Sequence, residues 1–285
     1  MRSTPRLIVL PLLLACTDYD LQATNDKQIE ATEDTGQFVP SEDTASDSAG
    51  EDSGTVVIED SGEPEPEPEP DPEVATEPIY LNTGSALYGY DPTTNTATKV
   101  GNFSDGRNNI TDMTDIAIDL SGYMYGVAYD ELYRVTPTTA GVTHVATLDA
   151  QYNALTFVST GELVGAAGTS VVIIDTSTGR TNRVGSSSFT SSGDIVGLPD
   201  GFLYWSTVGG GSDDLVRIDP TTGDTTRLGS IGHSGVYALG YAYGELYGFT
   251  SGSTVMVIDA ASGRATSDDH LSGAWWGATT NPVVW

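Results

Sequence analysis

The feature that most constrains this chain is a short hairpin written five times. It reads "LYGYDPTTNTATKVG" from Leu87, "LYRVTPTTAGVTHVATL" from Leu132 and "VVIIDTSTGRTNRVG" from Val171. It continues as "LVRIDPTTGDTTRLG" from Leu215 and "VMVIDAASGRATSDD" from Val255. The residues that open the turns are Asp91, Thr136, Asp175, Asp219 and Asp259, spaced by 45, 39, 44 and 40 positions. An Asp at the start of a turn accepts backbone bonds, Pro pre-sets φ at the next position, and Gly or Asn supplies the left-handed residue that closes the hairpin. On either side, β-branched and aromatic residues alternate with polar ones, the period of a half-buried strand.

Two more strand patterns precede each later hairpin. They are "MTDIAID" and "YMYGVAY", "NALTFV" and "ELVGAAG", "GDIVGLP" and "FLYWSTV", and "VYALGYA" and "ELYGFTS". Each unit therefore holds four strands, A to D. The first unit has "IYLNT", "ALYGYDP" and "TATKVG" but no A strand; "AWWGATTNP" (274–282) near the chain's end supplies one. A repeat of about 40 residues built from four strands is the period of a propeller blade. Pairing a C-terminal strand with the first unit covers the edge that its missing A strand would leave open. The expectation is an all-β, five-bladed β-propeller over residues 79–285. Six blades are the alternative, if "VVW" or the 102–112 loop holds further strands.

The "IDPTTG" hairpins and the "DIAID"-type first strand resemble the secreted blade-repeat propellers grouped with the PQQ-like, NHL and YVTN repeats. The resemblance covers 79–285 and implies the fold. It departs from named families: there is no Trp-Asp dipeptide, no kelch double glycine, and no Trp closing each repeat. No family active site is carried onto these residues.

The N-terminus speaks to address. Arg2 and Arg6 precede an apolar run from Leu7 to Leu14, followed by Ala15 and Cys16, the only cysteine of 285 residues. A charged start, a short apolar stretch and a small residue at the cut describe an export signal. Eight apolar residues reach only ~12 Å as a helix, too short for a ~30 Å hydrocarbon core. "LLAC" resembles the lipobox of bacterial lipoproteins. That resemblance implies cleavage after residue 15, lipidation of Cys16 and a membrane partner, with palmitate-type chains. Thr17, in place of the aspartate that favours inner-membrane retention in that family, points to the outer membrane. With no other cysteine, neither a disulfide nor a thiolate metal site is available.

Residues 16–78 read as a tether. Between 17 and 77 lie 20 Asp and Glu and a single basic residue, Lys27, a net −19 out of −29 for the whole chain. Low hydrophobicity with one charge sign cannot bury enough surface to offset the entropy of ordering, so this stretch is expected to be disordered. Its "EPEPEPEPDPE" favours extended polyproline II. The segment reads as a spacer holding a domain away from a membrane. The acidic balance also argues against nucleic acid, which wants a basic stripe.

Candidate chemistry is sparse. His144, His233 and His270 have no metal-ligand spacing. "GHSG" (232–235) lacks the Gly-x-Ser-x-Gly order of a nucleophile elbow. "DPTTGD" (219–224) has a turn's residues without a calcium loop's other acids, so Ca is unsupported and no metal or cofactor is assigned. Alignment of the A strands places Asp115, Asn153, Asp194, Tyr237 and Trp275 or Trp276 around one end of the channel. Arg107, Asn108, Asn109, Asp112, Ser192 and His233 stand on nearby loops. A polar ring with aromatics at a funnel mouth is a ligand-site pattern. For Asp115 and Asp194 the structural role is favoured, bracing backbone amides of adjacent blades. Tyr88, Tyr125, Tyr133, Tyr204 and Tyr247 recur just after Leu or Met on the second or third strand of a unit and read as packing between blades, with the hydroxyl at a rim.

The leading functional expectation is a lipid-anchored, envelope-displayed binding or scaffold module, monomeric, with a protein, peptide or glycan ligand. One alternative is an envelope hydrolase or lyase using Asp115 and Asp194 as acid and base. Another is a component of an outer-membrane assembly complex.

Overall fold

The structure, a computed structural model, describes residues 74–283. The export segment, Cys16 and the acidic stretch as far as residue 73 lie outside the described residues, as do Val284 and Trp285. The described chain is all β: five four-stranded antiparallel sheets arranged as a five-bladed propeller. Blade 1 combines β1 (Ile79–Thr83), β2 (Ala86–Asp91) and β3 (Thr96–Asn102) with β20 (Gly277–Thr280). Blade 2 holds β4 (Asp115–Ile118), β5 (Met124–Ala128), β6 (Glu131–Val135) and β7 (Val142–Thr147). Blade 3 holds β8 (Ala154–Phe157), β9 (Leu163–Ala167), β10 (Ser170–Ile174) and β11 (Thr181–Ser186). Blade 4 holds β12 (Ser191–Gly197), β13 (Leu203–Thr207), β14 (Asp214–Ile218) and β15 (Thr225–Ser230). Blade 5 holds β16 (Val236–Ala242), β17 (Glu245–Thr250), β18 (Thr254–Ile258) and β19 (Ala265–His270). The 102–112 loop forms isolated bridges at Ser104 and adds no sixth blade.

The hairpins form for the reason their residues suggest. Asp91, Asp175, Asp219 and Asp259 each accept the backbone N–H two residues on, at 2.8 Å. The left-handed position falls on Asn95, Ala140, Gly179, Gly223 and Gly263. Four turns thus use the Gly or Asn that suits this conformation, and one forces an alanine into it.

The core is not inside any blade. Five apolar clusters sit between consecutive blades, one at each junction. Phe103, Met113 and Ile116 join blades 1 and 2, and Trp205 and Val216 pack toward blade 3 from blade 4. The fifth junction closes the ring, where Ile79, Leu81 and Tyr90 of blade 1 meet Phe249 and Trp275. Aromatic edges meet faces there: Tyr88 on Trp275 at 5.2 Å and Tyr90 on Phe249 at 5.1 Å between centroids. Tyr125 reaches Phe157 of the next blade at 5.6 Å.

β20 completes blade 1 by pairing antiparallel with β1, Leu81 opposite Ala278. Asn281 then holds the start of the domain, its Nδ2 donating to the carbonyls of Ala75 and Glu77, both at 3.0 Å. Ala75 is buried in the cluster between blades 1 and 2.

Candidate functional site

Each innermost strand has one paired edge and one edge facing the central channel. Unpaired N–H groups buried on that inner edge need acceptors. The structure supplies them in layers.

The middle layer is two carboxyls. Asp115 on β4 accepts the N–H of Ile116 at 2.8 Å and of Leu155 on β8 at 2.6 Å. Asp194 on β12 accepts Ile195 at 2.6 Å, Leu239 on β16 at 2.7 Å and Ala278 on β20 at 3.1 Å. The five amides are equivalent positions, one from each blade. Two side chains therefore tie all five inner strands. Space decides which blades carry them: the residues matching Asp115 and Asp194 are Ala154, Ala238 and Gly277. A Cβ on Gly277 would collide with Asp115 Oδ1. A deeper layer uses hydroxyls. Thr279, Thr156 and Thr280 accept the N–H groups of Ile118, Gly197 and Tyr241.

Both carboxyls are fully buried. Burial pushes Asp115 well above the usual carboxylate range, and the facing charge of Asp194 raises it further. Burial raises Asp194 as well, opposed by the bonds it accepts from Asp115 and three amides. Burial of both and the charge of each on the other favour the protonated form of the pair. Asn82 Oδ1, buried without a hydrogen-bond partner, lies against the same side of Gly277 as Asp115 Oδ1. It offers the Asp115 side a second acceptor that a carboxyl proton can satisfy.

The mouth lies one residue earlier in each strand. Thr114, Asn153, Gly193, Tyr237 and Trp276 immediately precede the five middle-layer positions, and with Tyr129 and Ser192 they line a cavity of about 260 Å³. The sequence reading put Asp115 and Asp194 in one ring with Asn153, Tyr237 and Trp276. The strand registers divide them: the acids lie one residue deeper and line no part of this cavity. Trp275 and Trp276 also separate. Trp275 is buried between blades, its Nε1 donating to the Leu271 carbonyl at 3.2 Å, and Trp276 stands at the mouth, 36% exposed. Of the loop residues, Ser192 is at the mouth, and His233 lies to one side, 3.4 Å from Asp268.

Tyr129 was not among the sequence candidates. It occupies the two-residue turn between β5 and β6 at φ 54°, where the matching turn of blade 3 has Gly168 at φ 56°. A tyrosine in the left-handed region is a strained choice, and such strain gathers at functional sites. A Tyr where a sibling repeat has Gly is a signal visible in the sequence once the turns are aligned. Trp276 is fixed by its backbone N–H donating to the Asn82 carbonyl at 2.9 Å and lies over Gly84, while Gly193 has no Cβ to hold off the backbone of Tyr237.

A second cavity, about 340 Å³, opens at the other end of the channel against Ile118, Leu120, Phe157, Leu198 and Pro199. Among the described residues no cluster of three or more His, Asp or Glu is placed to hold a metal ion, and no helix is long and apolar enough to cross a membrane.

The fold defines the class: a five-bladed β-propeller. No protein-family description and no curated protein sequence matches the chain. Among solved structures it is similar to one from a nidogen/laminin complex, at 11% identity, TM-score 0.47, covering 72% of this chain and 98% of that one. It is similar to a structure described under the de novo evolutionary emergence of a symmetrical protein, at 16% identity, TM-score 0.48, covering 72% and 94%. A computationally designed protein, Ika8, shows 16% identity and a TM-score of 0.37, covering 70% of this chain, which spans 61% of that one.

Proposed function

We propose that this propeller is a binding module and that the mouth ringed by Asn153, Tyr237 and Trp276 is its docking face. One observation carries the reading. Each blade contributes its mouth residue to a single cavity, and several of those side chains have polar groups that no other described residue engages. The Asn153 side-chain amide, the Tyr129 and Tyr237 hydroxyls and the Trp276 indole N–H make no hydrogen bond among the described residues. A concave site with a few convergent polar groups is the geometry of ligand recognition. Asp115 and Asp194, the pair expected to serve in a hydrolase or lyase, are committed to backbone amides away from the cavity. That favours binding over turnover.

The lipobox-like "LLAC" and the acidic stretch support an address in the cell envelope. In this reading Cys16 carries the lipid, residues 17–77 act as spacer, and a monomeric propeller is presented at the outer membrane to a protein, peptide or glycan.

The test is crosslinked capture from intact cells. The full chain is compared with a Tyr237→Ala/Trp276→Ala double variant, both side chains being exposed enough to remove without touching the core. A partner held by the parent and lost by the variant is the expected result. Equal capture by both would place binding elsewhere. For the anchor, an alkyne-bearing palmitate analogue should label the parent and leave Cys16→Ala unlabelled.

A further inference from the structure

We infer that the mouth takes an uncharged sugar ring, stacked on Trp276 and Tyr237 and hydrogen-bonded by Asn153. The inference rests on the mouth being the binding site and adds its ligand class. The first observation is charge. The described propeller is rich in Asp and Glu, yet among the described residues no Asp, Glu, Lys, Arg or His lines this cavity. A site for a phosphate, a carboxylate or a peptide terminus would offer an opposite charge. A hydroxylated neutral ligand asks for amides and hydroxyls instead.

The second observation is shape. The cavity, about 260 Å³, is smaller than the ~300–1,000 Å³ of sites for drug-sized ligands. It suits one ring, with the open side free for the rest of a chain. The third is the wall. Tyr129, Tyr237 and Trp276 are 41, 37 and 36% exposed, three of the few large apolar side chains so open to water. Aromatic faces offer rigid, amphipathic area at low entropic cost, since each has only two rotatable side-chain bonds. A pyranose presents a C–H face to such a ring and its hydroxyls at the edge. Asn153, with one acceptor and two donor hydrogens, can meet neighbouring hydroxyls there. The strained backbone of Tyr129 holds the third aromatic at the rim before any ligand arrives.

The experiment is saturation-transfer NMR and titration calorimetry on the full chain. The probes are the methyl glycosides of glucose, galactose, mannose and N-acetylglucosamine, the methyl glycoside of glucuronic acid, and a mixed hexapeptide pool. At least one neutral glycoside should bind, with saturation concentrated on one C–H face. Trp276→Ala and Asn153→Ala should each weaken it about tenfold, a difference of about 1.4 kcal/mol. Tyr237→Phe, which keeps the ring, should weaken it less than Tyr237→Ala. Glucuronide binding as tight as that of the neutral sugar would overturn the charge argument. If no neutral glycoside binds and a peptide does, lost in Trp276→Ala, the sugar inference fails and the binding face stands. If nothing binds and cellular capture ignores the mouth variants, both fail.

Discussion

Asp115 and Asp194 show how few residues can organise a ring. Replacing Asp194 with Ala strands three amides from three blades, each costing about 1–3 kcal/mol, so a loss of about 3–5 kcal/mol is expected in denaturant melts. The pair also sets a pH dependence. Both acids titrate above their ordinary value of 3.8, so above that pH the fold holds protons the unfolded chain has released. Stability from the pair is full below 3.8 and falls as pH rises toward the folded values, by about 1.4 kcal/mol per pH unit for each proton held. The turn acids Asp91, Asp175 and Asp259 run the other way, their side-chain and backbone hydrogen bonds lowering them, so their contribution is lost as pH drops below 3.8. Melting temperature should therefore decline as pH rises from about 4 to about 8, and less steeply in Asp115→Asn. A parent profile flat across that range would contradict the raised carboxyls. Tyr129 makes a separate prediction: Tyr129→Gly should raise stability by about 0.5–1 kcal/mol while weakening whatever the mouth binds. A variant less stable than the parent would show that the turn is not strained.

At the scale of elements, β20 does two jobs. It pairs with β1, and it brings Ala278 to Asp194. A chain ending at Ser272 leaves the inner edge of β1 bare and removes Trp275 from the closing cluster. It should aggregate on purification rather than elute as a monomer; a well-folded truncated monomer would disprove the closure. Gly277→Ala should be nearly as damaging, since the added methyl meets Asp115. The strand-ending "VG" and "LG" pairs acquire a reason here. Gly101 and Gly229 on the outermost strands sit against the turn of the next blade, at Thr139 and Ser262, where a side chain would not fit. The recurrence of these glycines was legible in the repeat; the neighbour they make room for was not.

For the whole molecule, the absence of a core within any single blade has a thermodynamic consequence. Every blade buries its faces on two neighbours, and the last neighbour of blade 5 is blade 1. An open array can fray from its ends, whereas this ring has none. Calorimetry should show one transition for the propeller, with van't Hoff and calorimetric enthalpies equal. Two resolved transitions would mean that blades unfold separately.

The structure chose five blades over six, and the amino-acid sequence by itself determined the strands, the turns and the C-terminal strand that closes the ring. These depend on local chemistry repeated at a fixed period: Asp-Pro-Thr-Thr turns, period-two alternation and a missing first strand. It also marked Asn153, Tyr237 and Trp276 as candidates. Only the tertiary structure separated them from Asp115 and Asp194. A shift of one residue along an inner strand moves a side chain from the mouth to the axis, and nothing local distinguishes the two. Five strands converging on one channel decide it, because only there do two acids meet five unpaired amides, with Ala154, Ala238 and Gly277 leaving the room.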